Sequence, residues 1–241
     1  MAEIVWFVNH GYKVFSYDCT GTHASEGKGT RGMAQSAFDL NAALSCIEEE
    51  GDLKTLPVLL FGHSWGAYAA AAVLAGLPGY RGIRIAAAVC VSGYNTPNGI
   101  VLEHAKKMIG PLAFLEFPFM ALENFFRFGR ASTVSAVQSI NASSVPVLVI
   151  HGAGDKVVPF NSSSIIARQK RITNPEVEYY IRDKEGQNGH NDLFLSARAV
   201  NYALQMKADG SGEIDPLIMG ELDEEFMTRV NVFFEKSLRK R

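Results

Sequence analysis

Cysteine is scarce in this chain of 241 residues, and so is any imbalance of charge. The three cysteines, Cys19, Cys46 and Cys90, are odd in number, far apart and set among apolar or helix-patterned residues. That leaves no disulfide framework and no cysteine-based metal cluster, and points to a reducing, cytoplasmic setting. The 23 Lys and Arg stand against 25 Asp and Glu, for a formal charge of −2, and no stretch concentrates one sign. Nucleic acid and acidic membrane surfaces are therefore not expected partners. No uncharged apolar run reaches the roughly 18 to 20 residues of a spanning helix, so no stable membrane insertion is expected. The closest candidate is the alanine-rich stretch 67–77. The opening MAEIVWFVNHGYK has a short apolar patch interrupted by an acid, with no basic leader and no small-residue cleavage site, and is not read as a signal peptide. Phosphate-binding glycine loops, dinucleotide fingerprints and metal-ligand spacings are missing as well, so the expectation is no cofactor and no metal.

What is present is the balance of a globular protein, 47% hydrophobic and 20% charged. Short β-rich runs at 13–17, 58–61, 83–91, 145–150 and 177–181 alternate with helix-patterned stretches at about 33–50, 66–77, 161–172, 191–208 and 223–240. Several of these runs are apolar at every position, as parallel strands buried between two helix layers are. The pattern predicts an α/β fold with a doubly wound, mostly parallel sheet. Residues 95–140, rich in Phe, Met and Leu, break the alternation and read as a helical cap inserted between core segments 1–94 and 141–241. The aromatics of the final helix, Phe226, Phe233 and Phe234, recur at helical spacing and are expected in the core.

The strongest local signal is the segment from Val58 to Ala70, an apolar strand followed by Gly62-His63-Ser64-Trp65-Gly66 and then a helix of small residues. A serine lifted on a tight strand-to-helix turn is crowded by backbone, and glycines two places before and after it relieve the crowding. The helix that starts there directs its positive end and free N–H groups at the serine, so the backbone N–H of Trp65 is the expected oxyanion donor. Serine at neutral pH needs an imidazole to take its proton and a carboxylate to orient that imidazole. Asp155 follows a strand in His151-Gly152-Ala153-Gly154-Asp155-Lys156-Val157-Val158-Pro159, and His190 lies in a later loop, Asn188-Gly189-His190. Ser64, Asp155 and His190 are the expected catalytic residues. His63 is expected to turn away from Ser64 and to pack, and His151 to be structural. Asp183 and Asp192 are alternative acids, but sit too close to His190 in sequence to reach its ring without strain.

With these three motifs in this order, the chain resembles the α/β-hydrolase family over nearly its whole length. The resemblance implies hydrolysis through an acyl-enzyme, and a small-molecule acyl or ester substrate. The phenylalanines of the cap, Phe114, Phe117, Phe119, Phe125, Phe126 and Phe128, favour an apolar acyl group and would line its pocket. The family also includes aminopeptidases and acylaminoacyl peptidases, for which Glu103, Glu116 and Glu123 are candidate holders of a free amino group. A binding protein that kept the fold without catalysis is the other reading. The segment from Asp18 to Gly27 is similar to the family's D-x-x-G-x-G-x-S-x-G loop, with Thr22 or His23 in place of the second glycine, and is expected to be structural. The strands that precede this loop in the family, and the second oxyanion donor carried there, have no counterpart in the sequence. The expectation is a shortened N-terminus.

Overall fold

The computed structural model describes residues 2–75, 82–209 and 214–239. Helix α1 (Ala2–Asn9) leads into a long irregular segment, which ends at α2 (Gln35–Glu49). From there strands and helices alternate: β1 (Val58–His63), α3 (Trp65–Ala72) and β2 (Ile85–Val91). Next come the helices α4 (Pro97–Ile109), α5 (Ala113–Phe128) and α6 (Ala136–Asn141). Strands β3 (Val147–Gly152) and β4 (Val177–Arg182) follow, then α7 (Ala197–Asp209), α8 (Pro216–Met219) and α9 (Glu224–Arg239). The four strands form one sheet in the order β1-β2-β3-β4, and every pairing is parallel.

The two faces of this sheet separate by simple alternation. In β2, Ala88 and Cys90 point to a cluster built with α2, α3 and α6, while Ala87, Val89 and Val91 point to a second cluster built with Phe7 of α1 and Phe226, Val230 and Phe234 of α9. In β3, Val147 and Val149 join the first cluster, Leu148 and Ile150 the second. Both central strands are buried at every position, which is why β2 and residues 147–150 of β3 read as unbroken apolar runs. The expected doubly wound architecture is present. Of residues 95–140, α4 and α5 pack on each other and on the short turns beside them, whereas α6 buries Ala136, Val137 and Ile140 with α3 in the core.

Three expected elements differ. Residues 13–17 form no strand, and Val14, Phe15 and Tyr17 remain exposed. β-propensity alone does not make a strand without a neighbour to hydrogen-bond. The helix expected over 161–172 is a run of turns with a short 3₁₀ stretch at Ile166–Arg171. There the Ser164 hydroxyl donates to the Phe160 carbonyl and accepts from the Ala167 N–H, local bonds that compete with helix formation. The helix expected from residue 191 begins at Ala197, where the Ser196 hydroxyl accepts from the Ala199 N–H. Parts of the predicted helices 66–77 and 223–240, namely residues 76–77 and 240, lie outside the described residues.

Candidate active site

The turn from β1 to α3 carries Ser64 at φ 55° and ψ −108°, a left-handed backbone that a non-glycine residue adopts only under constraint from its surroundings. The constraint is visible at Gly62. A Cβ there would lie 2.2 Å from the Gly66 carbonyl oxygen, so only glycine lets strand and helix meet this closely. Gly66 itself faces open space, with nothing within 4 Å of where its Cβ would be. The approach therefore needs one glycine where the sequence suggested two. The Ser64 N–H donates to the Val91 carbonyl at 2.8 Å, fixing the turn to β2. Trp65 and Gly66 occupy the first turn of α3, where N–H groups have no carbonyl four residues back to bond.

Beyond the ends of the parallel strands, two loops converge on this turn, one carrying Asp155 and one His190. The His190 ring lies with Nε2 3.0 Å from Ser64 Oγ and Nδ1 2.7 Å from Asp155 Oδ2. A carboxylate can only accept, so Nδ1 carries the proton and Nε2 presents its lone pair to the serine hydroxyl. The Asp155 side chain is fully buried, and its second oxygen, Oδ1, accepts the N–H groups of Val157 and Val158, each at 2.9 Å. Burial opposes its ionisation. The hydrogen bond from His190, the Val158 N–H and the two neighbouring imidazoles outweigh that and hold its carboxyl below the usual aspartate range. Asp183 and Asp192 lie elsewhere in the His190 loop: Asp192 accepts the Gly189 N–H at 2.6 Å, and the Asp183 carbonyl accepts from Asn188.

The two histidines expected to be structural stand closer to this chain of bonds than the sequence suggested. His63 Nε2 donates to the backbone carbonyl of His190 at 2.8 Å, and the two rings lie 4.7 Å apart at their centroids. His151 is fully buried and donates from Nε2 to the Val158 carbonyl at 2.9 Å, with Asp155 Oδ2 at 3.4 Å. Burial pushes the pKa of both rings below the ordinary histidine value. Two further contacts escaped sequence reasoning. Gly152 lets the acid and histidine loops touch, since a Cβ there would lie 2.2 Å from the Asn188 carbonyl oxygen. Asp223 accepts from Arg182 at 3.1 Å, from Gln187 at 2.9 Å and from the Phe226 N–H at 2.8 Å, while Gln187 also donates to the Leu195 carbonyl. This network ties both ends of the His190 loop to the start of α9. No local motif signals either contact.

A cavity of about 350 Å³ lies between the serine turn and the cap, lined by Gly32, Met33, Trp65, Val101, Met120, Glu123 and Asn124. The Met33 carbonyl accepts from the Tyr94 hydroxyl at 2.7 Å, which fixes that wall. None of the six cap phenylalanines lines this cavity. Phe117 and Phe128 are half-buried, while Phe114, Phe119, Phe125 and Phe126 are exposed. Of the three cap acids only Glu123 reaches the wall, and its carboxylate is bonded to Arg127 at 2.5 Å. Glu103 accepts from Ser162, and Glu116 faces solvent. The Asp18 loop is tied to α2: the Thr20 N–H and hydroxyl both donate to Asp39, at 3.0 and 2.6 Å. Among the described residues no group of three or more His, Cys, Asp and Glu is arranged to hold a metal, and no helix is long and apolar enough to cross a membrane.

A parallel sheet covered on both faces, with a strained serine at a strand-to-helix turn, defines an α/β-hydrolase. Residues 3–124 match the profile of the serine aminopeptidase family S33, and the chain belongs to that family. Similar folds occur in the Pyrococcus furiosus esterase Pf2001, at 20% identity and a TM-score of 0.58 over 98% of this chain and 75% of that one. BpoC of Mycobacterium tuberculosis H37Rv is another, at 18% identity and a TM-score of 0.50 over 87% of this chain and 86% of that one. No curated protein matches. The protein is a hydrolase by family.

Proposed function

We propose that the protein cleaves carboxylic esters of apolar acyl groups through an acyl-enzyme formed on Ser64. The observation that carries this reading is the unbroken hydrogen-bonded line from Ser64 Oγ through His190 to Asp155. His190 Nε2 takes the hydroxyl proton as Ser64 Oγ attacks the acyl carbon, and then passes that proton to the departing alcohol. Asp155 holds the ring with Nδ1 protonated and stabilises the imidazolium while it exists. The Trp65 N–H at the positive end of α3 receives the negative charge on the carbonyl oxygen. Water activated by the same imidazole then releases the acid. The largely apolar cavity beside Trp65 supports an apolar acyl group.

An aminopeptidase or acylaminoacyl peptidase with the same three residues is the second reading. Glu123 on the cavity wall favours it as a site for a free ammonium group, but Arg127 already neutralises that carboxylate. The test is hydrolysis of p-nitrophenyl esters of increasing chain length and of aminoacyl p-nitroanilides, by the protein and by Ser64→Ala. Ester turnover that disappears in the variant supports the first reading, and preference for the anilides supports the second. Turnover equal in both proteins, or no labelling of Ser64 by a fluorophosphonate, would leave only a non-catalytic role for the fold.

A further inference from the structure

The cap carries an apolar surface that the cavity does not use. Along α5, the residues turned to the protein are Ala113, Phe117, Met120, Asn124 and Phe128, all buried or half-buried. Directly opposite, at intervals of four, three and four, stand Leu115, Phe119, Leu122 and Phe126, exposed by 71, 71, 52 and 79%. At roughly 100° of turn per residue these four form one straight stripe, widened by Phe114 and Phe125 on one flank. The opposite flank holds Glu116, Glu123 and Arg127. An apolar helix face of this size in water calls for a partner. The 4-3-4 spacing is that of a helix seam, in which knobs of one helix enter holes of another.

We propose that the occupant is α5 of a second copy of this chain, packed antiparallel about a two-fold axis between Met120 and Ala121. In that register Leu115 meets Phe126 of the second copy and Phe119 meets its Leu122, so every contact along the seam sets a phenylalanine against a leucine. The sequence of the stripe is self-complementary, as a two-fold interface requires. The charges also fit. Arg127, bonded to its own Glu123, comes within two residues' rise of Glu116 of the second copy on the same flank, within reach of its long side chain, and a guanidinium has enough donors to serve both carboxylates. A lipid surface is the competing occupant, since Lys106 stands over the Phe114 ring at 4.6 Å on the other flank, and it is the self-complementary stripe that favours a second copy.

Sedimentation of the protein from micromolar to hundreds of micromolar is expected to show a monomer–dimer equilibrium. Phe119→Glu and Phe126→Glu are expected to raise the dissociation constant more than about tenfold, as loss of a central aromatic anchor does. Both side chains are exposed in the single copy, so circular dichroism and fluorophosphonate labelling of Ser64 should stay unchanged. The register has its own test. Under oxidation, Leu115→Cys mixed with Phe126→Cys should give the joined 115–126 peptide by mass spectrometry, and neither variant alone should give a like-with-like link across the seam. A monomer at every concentration, like-with-like links, or assembly only when anionic vesicles are added would each overturn the proposal.

Discussion

His63 shows how far a single side chain can act from its place in the sequence. It lies next to the serine, yet its bond runs to the backbone of His190, 127 residues away. Losing that bond frees the carbonyl of the residue whose ring must stay within 3.0 Å of Ser64 Oγ. His63→Ala is therefore expected to lower kcat by up to about 10²-fold, the scale on which ångström misplacements act, with KM little changed. His63→Gln, which keeps a donor, should recover part of the loss. Equal rates in wild type and His63→Ala would show that the bond positions nothing. The depressed pKa values of His63 and His151 have a separate consequence for stability. The unfolded chain takes up these protons near pH 6.5, whereas the folded chain, burying both rings, takes them up only at lower pH. Stability from this source is thus complete above the unfolded value and lost as pH falls below it. Each ring contributes a slope of at most about 1.4 kcal/mol per pH unit. Urea unfolding between pH 5 and 8 should show this loss, reduced in His151→Gln and nearly absent over that range in the His63→Gln/His151→Gln double variant.

Among the elements, the loop from β4 to α7 depends on one carboxylate at the start of α9. Asp223 caps α9 through the Phe226 N–H and pairs with Arg182, at side-chain exposures of 14 and 5%. Asp223→Ala removes a cap and strands a buried guanidinium, for an expected cost of about 3 to 5 kcal/mol in urea unfolding. A cost below about 1 kcal/mol would mean that solvent reaches Arg182. Burial works against the charge of Asp223, but the Phe226 N–H, Gln187 and Arg182 hold its carboxyl below the usual range. Its contribution is therefore present above the ordinary aspartate value and lost on acidification through the folded one. The elements themselves differed in legibility for a physical reason. Strands β2 and β3 could be read because burial on both faces writes apolar residues throughout β2 and from Val147 to Ile150 of β3. Residues 13–17 are rich in β-forming residues but make no ladder, since pairing is decided by a distant neighbour. Ser64, Asp155 and His190, which the structure brings together, stood out in the sequence because each lies in a local turn or loop motif. The bonds of His63, Gly152 and Asp223 join segments far apart in the chain and left no local trace.

At the scale of the whole molecule, residues 97–128 meet the rest of the protein at the cavity and along a second line, where His104 and Lys107 of α4 bond the Val157 and Lys156 carbonyls and Glu103 accepts from Ser162. The floor of the cavity is core, Met33 and Trp65, and its roof is cap, Val101 from α4 with Met120, Glu123 and Asn124 from α5. On the ester reading, the alcohol and carbonyl ends of a substrate answer to the serine turn, while acyl length answers to the distance between floor and roof. Met120→Trp adds bulk to the roof without touching Ser64, His190 or Asp155. The expected outcome is a cut of about tenfold or more in kcat/KM for long-chain p-nitrophenyl esters, since a few methylenes excluded from an apolar pocket already cost that much. The acetate ester should be turned over almost as before, and the rate of fluorophosphonate labelling should not change. A uniform loss across all chain lengths would instead place the acyl group outside this cavity, and the preference for apolar substrates would then have to arise on another surface of the cap.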